Sequence, residues 1–216
     1  MKIDPNELNA KKAHDILTDI VMPRPIAFVS TIGEDGIYNA APYSYFTAIS
    51  HRPMIVGFSL GRKKKGTKKD TLVNIESTRE YGVNAVSEDL AISMNKAAAA
   101  YPPHVDEFEK AGLTPVKADI IQAPLIKESP VNMECRLIQI LEFGDEPEYT
   151  NFIIGEVVRI HINENYILDD QIQPKKLKLI GRLGGGGSAY CRTTDIFNIK
   201  RISLRTTKTA SSKQGS

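Results

Sequence analysis

Two long runs of strand-forming residues, VNMECRLIQILEFG (131–144) and TNFIIGEVVRIHI (150–162), constrain this chain more than any other feature. Only a short acidic stretch containing Pro147 joins them. Parallel neighbours need a crossover of a dozen or more residues, usually a helix, and nothing of that length is present. The two runs are therefore expected to form the arms of a long antiparallel hairpin. Such a hairpin needs further strands to bury its faces, and the preceding sequence supplies them. RPIAFVSTI (24–32) ends in the turn cluster GEDG (33–36), and GIYNAAPYS (36–44), PMIVGFSL (53–60) and YGVNAVS (81–87) follow; all are rich in β-branched or aromatic residues bounded by turn formers. Helical signals are fewer. Asp70 or Thr71 is placed to cap a helix over 71–79, EDLAISMNKAAAA (88–100) runs up to Pro102–Pro103, and VDEFEKAG (105–112) is closed by Gly112. The expected architecture is an all-β barrel with helical insertions.

Length and composition fit one domain over residues 1–205. The tail 206–216 (TTKTASSKQGS) has almost no apolar content and reads as disordered. No apolar run approaches the ~18 residues of a membrane span, and MKIDPNELNAKK lacks a signal peptide's apolar stretch. The expectation is a cytoplasmic protein with no membrane partner. Charge is unevenly spread. Residues 61–70 carry six basic side chains against one acidic, and 171–216 carry ten against one, while 71–170 carry seven against eighteen. The acidic middle opposes a general nucleic-acid role, so none is expected.

Three stretches could carry chemistry. The basic run GRKKKGTKKDT (61–71) can be a solvated loop, a nucleic-acid patch or a phosphate site; in the last case lysines supply charge, and Thr71 and the helix start supply donors. Most of its lysines are surplus in any of these readings. VST (29–31) and NAAPYSYF (39–46) combine the hydroxyls of Ser30, Thr31 and Ser44 with small residues, Ala40 and Ala41, and with the aromatic faces of Tyr43, Tyr45 and Phe46. That combination suits a flat ligand approaching the backbone. GRLGGGGSAY (181–190) is neither a dinucleotide fingerprint nor a Walker loop and marks a tightly turning or flexible loop. The four histidines have no metal spacing, and Cys135 and Cys191 cannot build a disulfide framework or a zinc site by themselves. No metal and no protein nucleophile is expected, so an organic cofactor would carry any redox step.

Eight motifs stand in order between residues 21 and 202: PRPIAFVST (23–31), DGIYNAAPYSYF (35–46), SHRP (50–53), KDT with Asn74 (69–74), VDEFEKAGLT (105–114), ESPVNMEC (128–135), IGEVV (154–158) and RLGG followed by Tyr190. Together they resemble the flavin reductase-like family of FMN-binding split β-barrels, which includes the flavoredoxin-type proteins. Phe28 stands where many relatives carry tryptophan, and the four residues between Gly185 and Tyr190 make a longer gap than theirs. The resemblance implies a mainly β, Greek-key-like antiparallel split barrel and a homodimer with one FMN near each subunit interface. It places Ser30 and Thr31 against the ribityl phosphate. Asn39, Ala40, Ala41, Pro42, Tyr43 and Ser44 would lie along the isoalloxazine ring. Lys69, Asp70 and Thr71 would stand at the phosphate, and Arg182 and Tyr190 would complete the site. The implied activity is NAD(P)H-dependent flavin reduction, with NADH or NADPH as co-substrate and no side chain needed as acid or base. An electron carrier with permanently bound FMN and a protein redox partner, or a non-catalytic flavin-binding protein, is the alternative.

Overall fold

The computed structural model describes residues 1–63, 66–145 and 149–202. The disordered tail expected at 206–216 lies outside these residues. The long hairpin is as expected: β8 (Val131–Phe143) pairs antiparallel with β9 (Thr150–Ile162), from Val131 opposite Ile162 to Phe143 opposite Thr150. Irregularities in register at Glu134/Cys135 and at Leu137/Gln139 let so long a ribbon bend. Around it are β1 (Ala27–Ile32), β2 (Tyr38–Tyr43), β3 (Phe46–His51), β4 (Met54–Gly61) and β5 (Glu80–Ala85). The seven strands form one antiparallel sheet in the order β2-β1-β5-β8-β9-β4-β3. Its two edges, β2 and β3, are consecutive in sequence and joined by Ser44 and Tyr45. The barrel is thus split between strands that the chain itself connects, and β3 is a strand the sequence pattern did not show. Short pairs, β6 (Pro115–Val116) with β7 (Leu125–Ile126), β10 (Ile167–Leu168) with β11 (Gln171–Ile172) and β12 (Ile180–Arg182) with β13 (Tyr190–Arg192), lie outside this sheet.

The side-chain period of two divides β1 between two cores. Ala27 and Val29 face the barrel interior with Val56, Phe58, Tyr81, Val83 and Ile153, and with Leu72 and Ile75 of α2 (Asp70–Thr78). Phe28 points the other way, into a layer made by Leu90, which immediately precedes α3 (Ala91–Ala97), by Met94 and Ala97 within α3, and by Phe108 and Ala111 of α4 (Glu107–Ala111). Asp106 caps α4 by accepting from the N–H groups of Phe108 and Glu109, and Gly112 ends it at φ 68°, the left-handed conformation expected of it. An N-terminal helix, α1 (Ala10–Ile20), precedes the sheet, with Asn9 accepting from the Lys12 N–H.

Gly155 is where β9 passes closest to the core. A Cβ there would collide with the buried Tyr81 hydroxyl and meet the Arg136 carbonyl oxygen at 3.0 Å. Overpacking of this kind costs about 1–3 kcal/mol. Gly155→Ala is expected to lower the unfolding free energy by that amount, read as a lower urea midpoint with an unchanged m-value. An unchanged midpoint would show that Tyr81 moves freely.

Candidate functional site

The expected site residues divide over the two faces of edge strand β2. Asn39, Ala41 and Tyr43 line a cavity of about 590 Å³ together with Lys63, Lys69, Asp70, Thr71, Glu107 and the small residues Ala97–Ala100. Pro42 belongs both to this cavity and to a second one of about 490 Å³. Ser44, Tyr45, Arg182 and Tyr190 line the second cavity only.

A hydrogen-bond chain forms the floor of the first cavity. Tyr43 donates to the Thr71 hydroxyl at 2.9 Å, and Thr71 donates to Asn39 Oδ1 at 2.8 Å. Asn39 Nδ2 donates to Glu107 Oε2 at 2.7 Å, and that oxygen also accepts from the Ala40 N–H at 2.8 Å. Thr31 donates to Asn39 Oδ1 at 3.3 Å and accepts from Asn74 Nδ2 at 3.0 Å. Burial, with the carboxyl groups of Glu107 and Asp70 nearby, leaves the Tyr43 phenol well above its ordinary range. It therefore stays neutral, as a donor must.

This arrangement changes the roles read from sequence. Thr71 is 1% exposed and its hydroxyl proton is committed to Asn39, so the donors left at the start of α2 are the backbone N–H groups of the lining residues Asp70 and Thr71, that of Leu72 being spent on the Lys69 carbonyl. Thr31, fully buried, braces Asn39 from behind. Ser30 is not brought to this cavity. Neighbouring strand residues face opposite sides, and its Oγ accepts from Asn84 Nδ2 at 3.0 Å on the far side of the sheet from Thr31. Glu107 is the residue that sequence reasoning missed. It is 6% exposed, and burial pushes its carboxyl up to about 7, against the pull of the Ala40 N–H and with help from Asp70.

The basic run resolves into separate roles. Arg62 pairs with Glu142 at 2.6 Å, Lys63 with Asp70 at 2.7 Å and Lys68 with Glu76 at 2.7 Å; Lys64 and Lys65 lie outside the described residues. Lys63 is therefore not surplus, since it holds Asp70 at the cavity rim. Lys69 differs from these three. Half-buried, it has no carboxylate within ion-pair distance among the described residues, and its ammonium lies 5.3 Å from the centre of the Tyr43 ring. Burial and the neighbouring Lys63 hold it below the usual lysine range. Among the described residues the cavity thus has one uncompensated cation beside a helix N-terminus, above a hydrogen-bonded floor and small-residue walls. Such a site can take an anionic group joined to a flat body.

The second cavity is bounded by α1, Arg24 and the glycine loop. Arg24 is 5% exposed; its Nη1 donates to the carbonyls of Thr18 (2.6 Å) and Val21 (2.8 Å), and Nη2 donates to that of Leu183 (3.2 Å). Gly185, Gly186 and Gly187 all take positive φ, and the Gly185 N–H donates to Asp19 at 2.7 Å, so this loop is a tight turn tied to α1.

No helix among the described residues is long and apolar enough to cross a membrane. The family model described as "Flavin reductase like domain" matches residues 20–174. An uncharacterised protein of Halalkalibacterium halodurans is 34% identical over 94% of this chain and 98% of its own length, and one of Aquifex aeolicus is 39% identical over 83% and 90%. Among solved structures, component B of nitrilotriacetate monooxygenase from Bacillus cereus is 34% identical, with a TM-score of 0.87 over 92% of this chain and 98% of that one. The 2-nitrobenzoate 2-nitroreductase of Pseudomonas fluorescens is 28% identical, with a TM-score of 0.82 over 98% and 100%. With its split barrel, the eight ordered motifs and a match that spans most of its length, the chain belongs to the flavin reductase-like family.

Proposed function

We propose that the protein holds FMN in the first cavity and works as an NAD(P)H-dependent oxidoreductase of the flavin reductase type. Lys69 carries this reading: it is a half-buried cation with no carboxylate partner among the described residues, beside the first turn of α2. A terminal phosphate would sit against Lys69 and the N–H groups of that turn. The small residues Ala41 and Ala97–Ala100 leave room for the rest of the molecule. When bound, the flavin would supply the hydride-accepting chemistry. The chain's own part is to neutralise the phosphate, to keep the floor rigid through Tyr43, Thr71 and Asn39, and to shield the site from water.

The test is titration of the colourless protein with FMN, followed under nitrogen by NADH or NADPH. Saturable quenching of flavin fluorescence and loss of the visible band on adding a nicotinamide are expected. Absence of quenching overturns the reading. Bleaching by a reduced protein donor but by neither nicotinamide would favour the electron carrier.

Glu107 adds a pH dependence. Protonated, it leaves Lys69 unopposed; ionised, it repels an incoming phosphate across the same cavity. Because its carboxyl titrates at about 7, FMN affinity is expected to fall as pH rises from 6 to 8. A drop of roughly threefold is a modest Coulombic effect at such a site. Glu107→Gln keeps an acceptor for the Ala40 N–H and should flatten the profile; an equally steep profile in that variant would assign the effect elsewhere.

We further propose a homodimer. The unpaired edges of β2 and β3, and exposed apolar side chains such as Ile49, Met54 and Ile138, favour a partner subunit. Light scattering at micromolar concentration is expected to give twice the chain mass.

A further inference from the structure

A third cavity, of about 500 Å³, has no part in the flavin reading. Its wall is apolar: Phe46 at the start of β3, Val83 of β5, Met133 of β8, then Ile172, Leu177 and Ile180. Ile172 is 46% exposed, so the cavity opens to the surface. The two hydrogen-bonding side chains on the wall, Arg24 and Thr193, are already engaged. Arg24 donates to three backbone carbonyls, and Thr193 donates to that of Leu179 at 2.9 Å. Apart from the Cys191 thiol, the lining therefore offers an occupant packing rather than a polar side-chain partner.

An apolar segment leaves from the rim. Thr193 lines the cavity, and the chain from 195 to 202 forms neither helix nor strand. Within it Ile196, Phe197, Ile199 and Ile202 are between 51% and 88% exposed. Single exposed apolar side chains are ordinary on a protein surface, but a cluster of four over 196–202 marks a contact surface.

Two observations identify the other side of that contact as a second copy of this chain. Phe46 in the cavity wall begins β3, a sheet edge on which the homodimer proposed above already rests, so the cavity adjoins the edge expected to meet a partner. The segment also belongs to the basic block 171–216, with ten basic side chains against one acidic, whereas residues 71–170 carry eighteen acidic against seven basic. Two copies are thus complementary, the basic end of one facing the acidic middle of the other. Because segment and cavity lie on one chain, a two-fold axis makes their exchange reciprocal and closes it at two subunits.

We propose that residues 196–202 of each subunit form an arm that seats Phe197 and Ile199 in the third cavity of its partner. Such an exchange presupposes the homodimer and adds to it a contact that the strand edges do not supply.

The test is photo-crosslinking of the full-length protein carrying p-benzoylphenylalanine in place of Phe197, beside light scattering on the wild type. Irradiation is expected to give a covalent species of twice the chain mass, with the attachment mapped by mass spectrometry to 83–86, 131–133 or 172–180. Attachment to the same stretches within one chain would overturn the proposal by making the arm a cover for its own cavity. A dimeric wild type whose variant shows no attachment, or attachment elsewhere, overturns the exchange and leaves the homodimer standing. A monomeric wild type removes the homodimer and the exchange together. Phe197→Ala combined with Ile199→Ala should raise the dimer Kd roughly tenfold or more in sedimentation, the size expected for losing two buried apolar side chains. Its circular dichroism should be unchanged, since both side chains are exposed within their own subunit. A Kd equal to that of the wild type overturns the proposal.

Discussion

Lys69→Gln is expected to weaken FMN binding by about ten- to a hundredfold, the loss of one charge-assisted hydrogen bond to phosphate in a partly desolvated site. The neighbouring Lys68→Gln should change it little. The two lysines are adjacent in sequence and carry the same charge, but Lys68 is exposed and already paired with Glu76 at 2.7 Å. Lys69 is half-buried over the Tyr43 ring, with its ammonium held below the usual lysine range by burial and by Lys63. An arriving phosphate would reverse that penalty, which makes binding at Lys69 more favourable than at a solvated lysine. Fluorescence titration of both variants at neutral pH decides the matter. Equal affinities for Lys69→Gln and wild type would mean that phosphate is held elsewhere, and the first cavity would lose its main claim to the cofactor.

The strands were legible because each buried strand alternates or runs apolar between turn formers. β3 was not. It lies at a sheet edge with most of FTAISH half-exposed or exposed, so burial left no pattern to read. α1 was missed for a similar reason: among its residues only Thr18 is buried, and its signal was the Asn9 cap with the Lys11–Asp15 pair one turn on.

The candidate site was legible as a set of residue types and less so as a geometry. Reading VST as one unit put Ser30 beside Thr31, whereas a strand's period of two sends their side chains to opposite faces. The same period divides 39–44 between two cavities, a consequence that could have been drawn from sequence alone. Glu107 could not have been found that way. Its neighbours in VDEFEKAG describe only a short helix, and its role comes from the Ala40 N–H, 67 residues earlier in the chain. Arg24 shows the same limit, since its bonds to Thr18, Val21 and Leu183 close a corner that exists only once α1 and the glycine loop meet.

Glu134→Ala is expected to destabilise the fold by about 3–5 kcal/mol, the range for removing one partner of a buried charged network. Glu134 is fully buried in β8 and accepts four hydrogen bonds. Three come from the backbone N–H groups of Asp119 (2.9 Å), Ile120 (2.7 Å) and Ile121 (3.0 Å), and its fourth partner is His161 Nε2 at 2.6 Å. It therefore anchors the loop that carries Ala118 and Ile121 onto the sheet, and its loss would leave three donors without an acceptor. Burial alone would raise its pKa, but His161 and the three N–H groups outweigh burial and hold the carboxyl below its ordinary value of 4.5. A depressed folded-state value means that its stabilisation is complete above the unfolded-state pKa and is lost as pH falls through the folded one. The gap in urea midpoint between wild type and Glu134→Ala should accordingly be full at pH 7 and narrow below about pH 4.5, the ordinary value from which the carboxyl is shifted. Glu134→Gln, which retains one acceptor oxygen, should fall between the two at pH 7 and show little of the acid dependence. A gap that stays constant from pH 7 to pH 3 would mean that Glu134 contributes packing alone, and that the loop is held to the barrel by Ala118 and Ile121 rather than by charge.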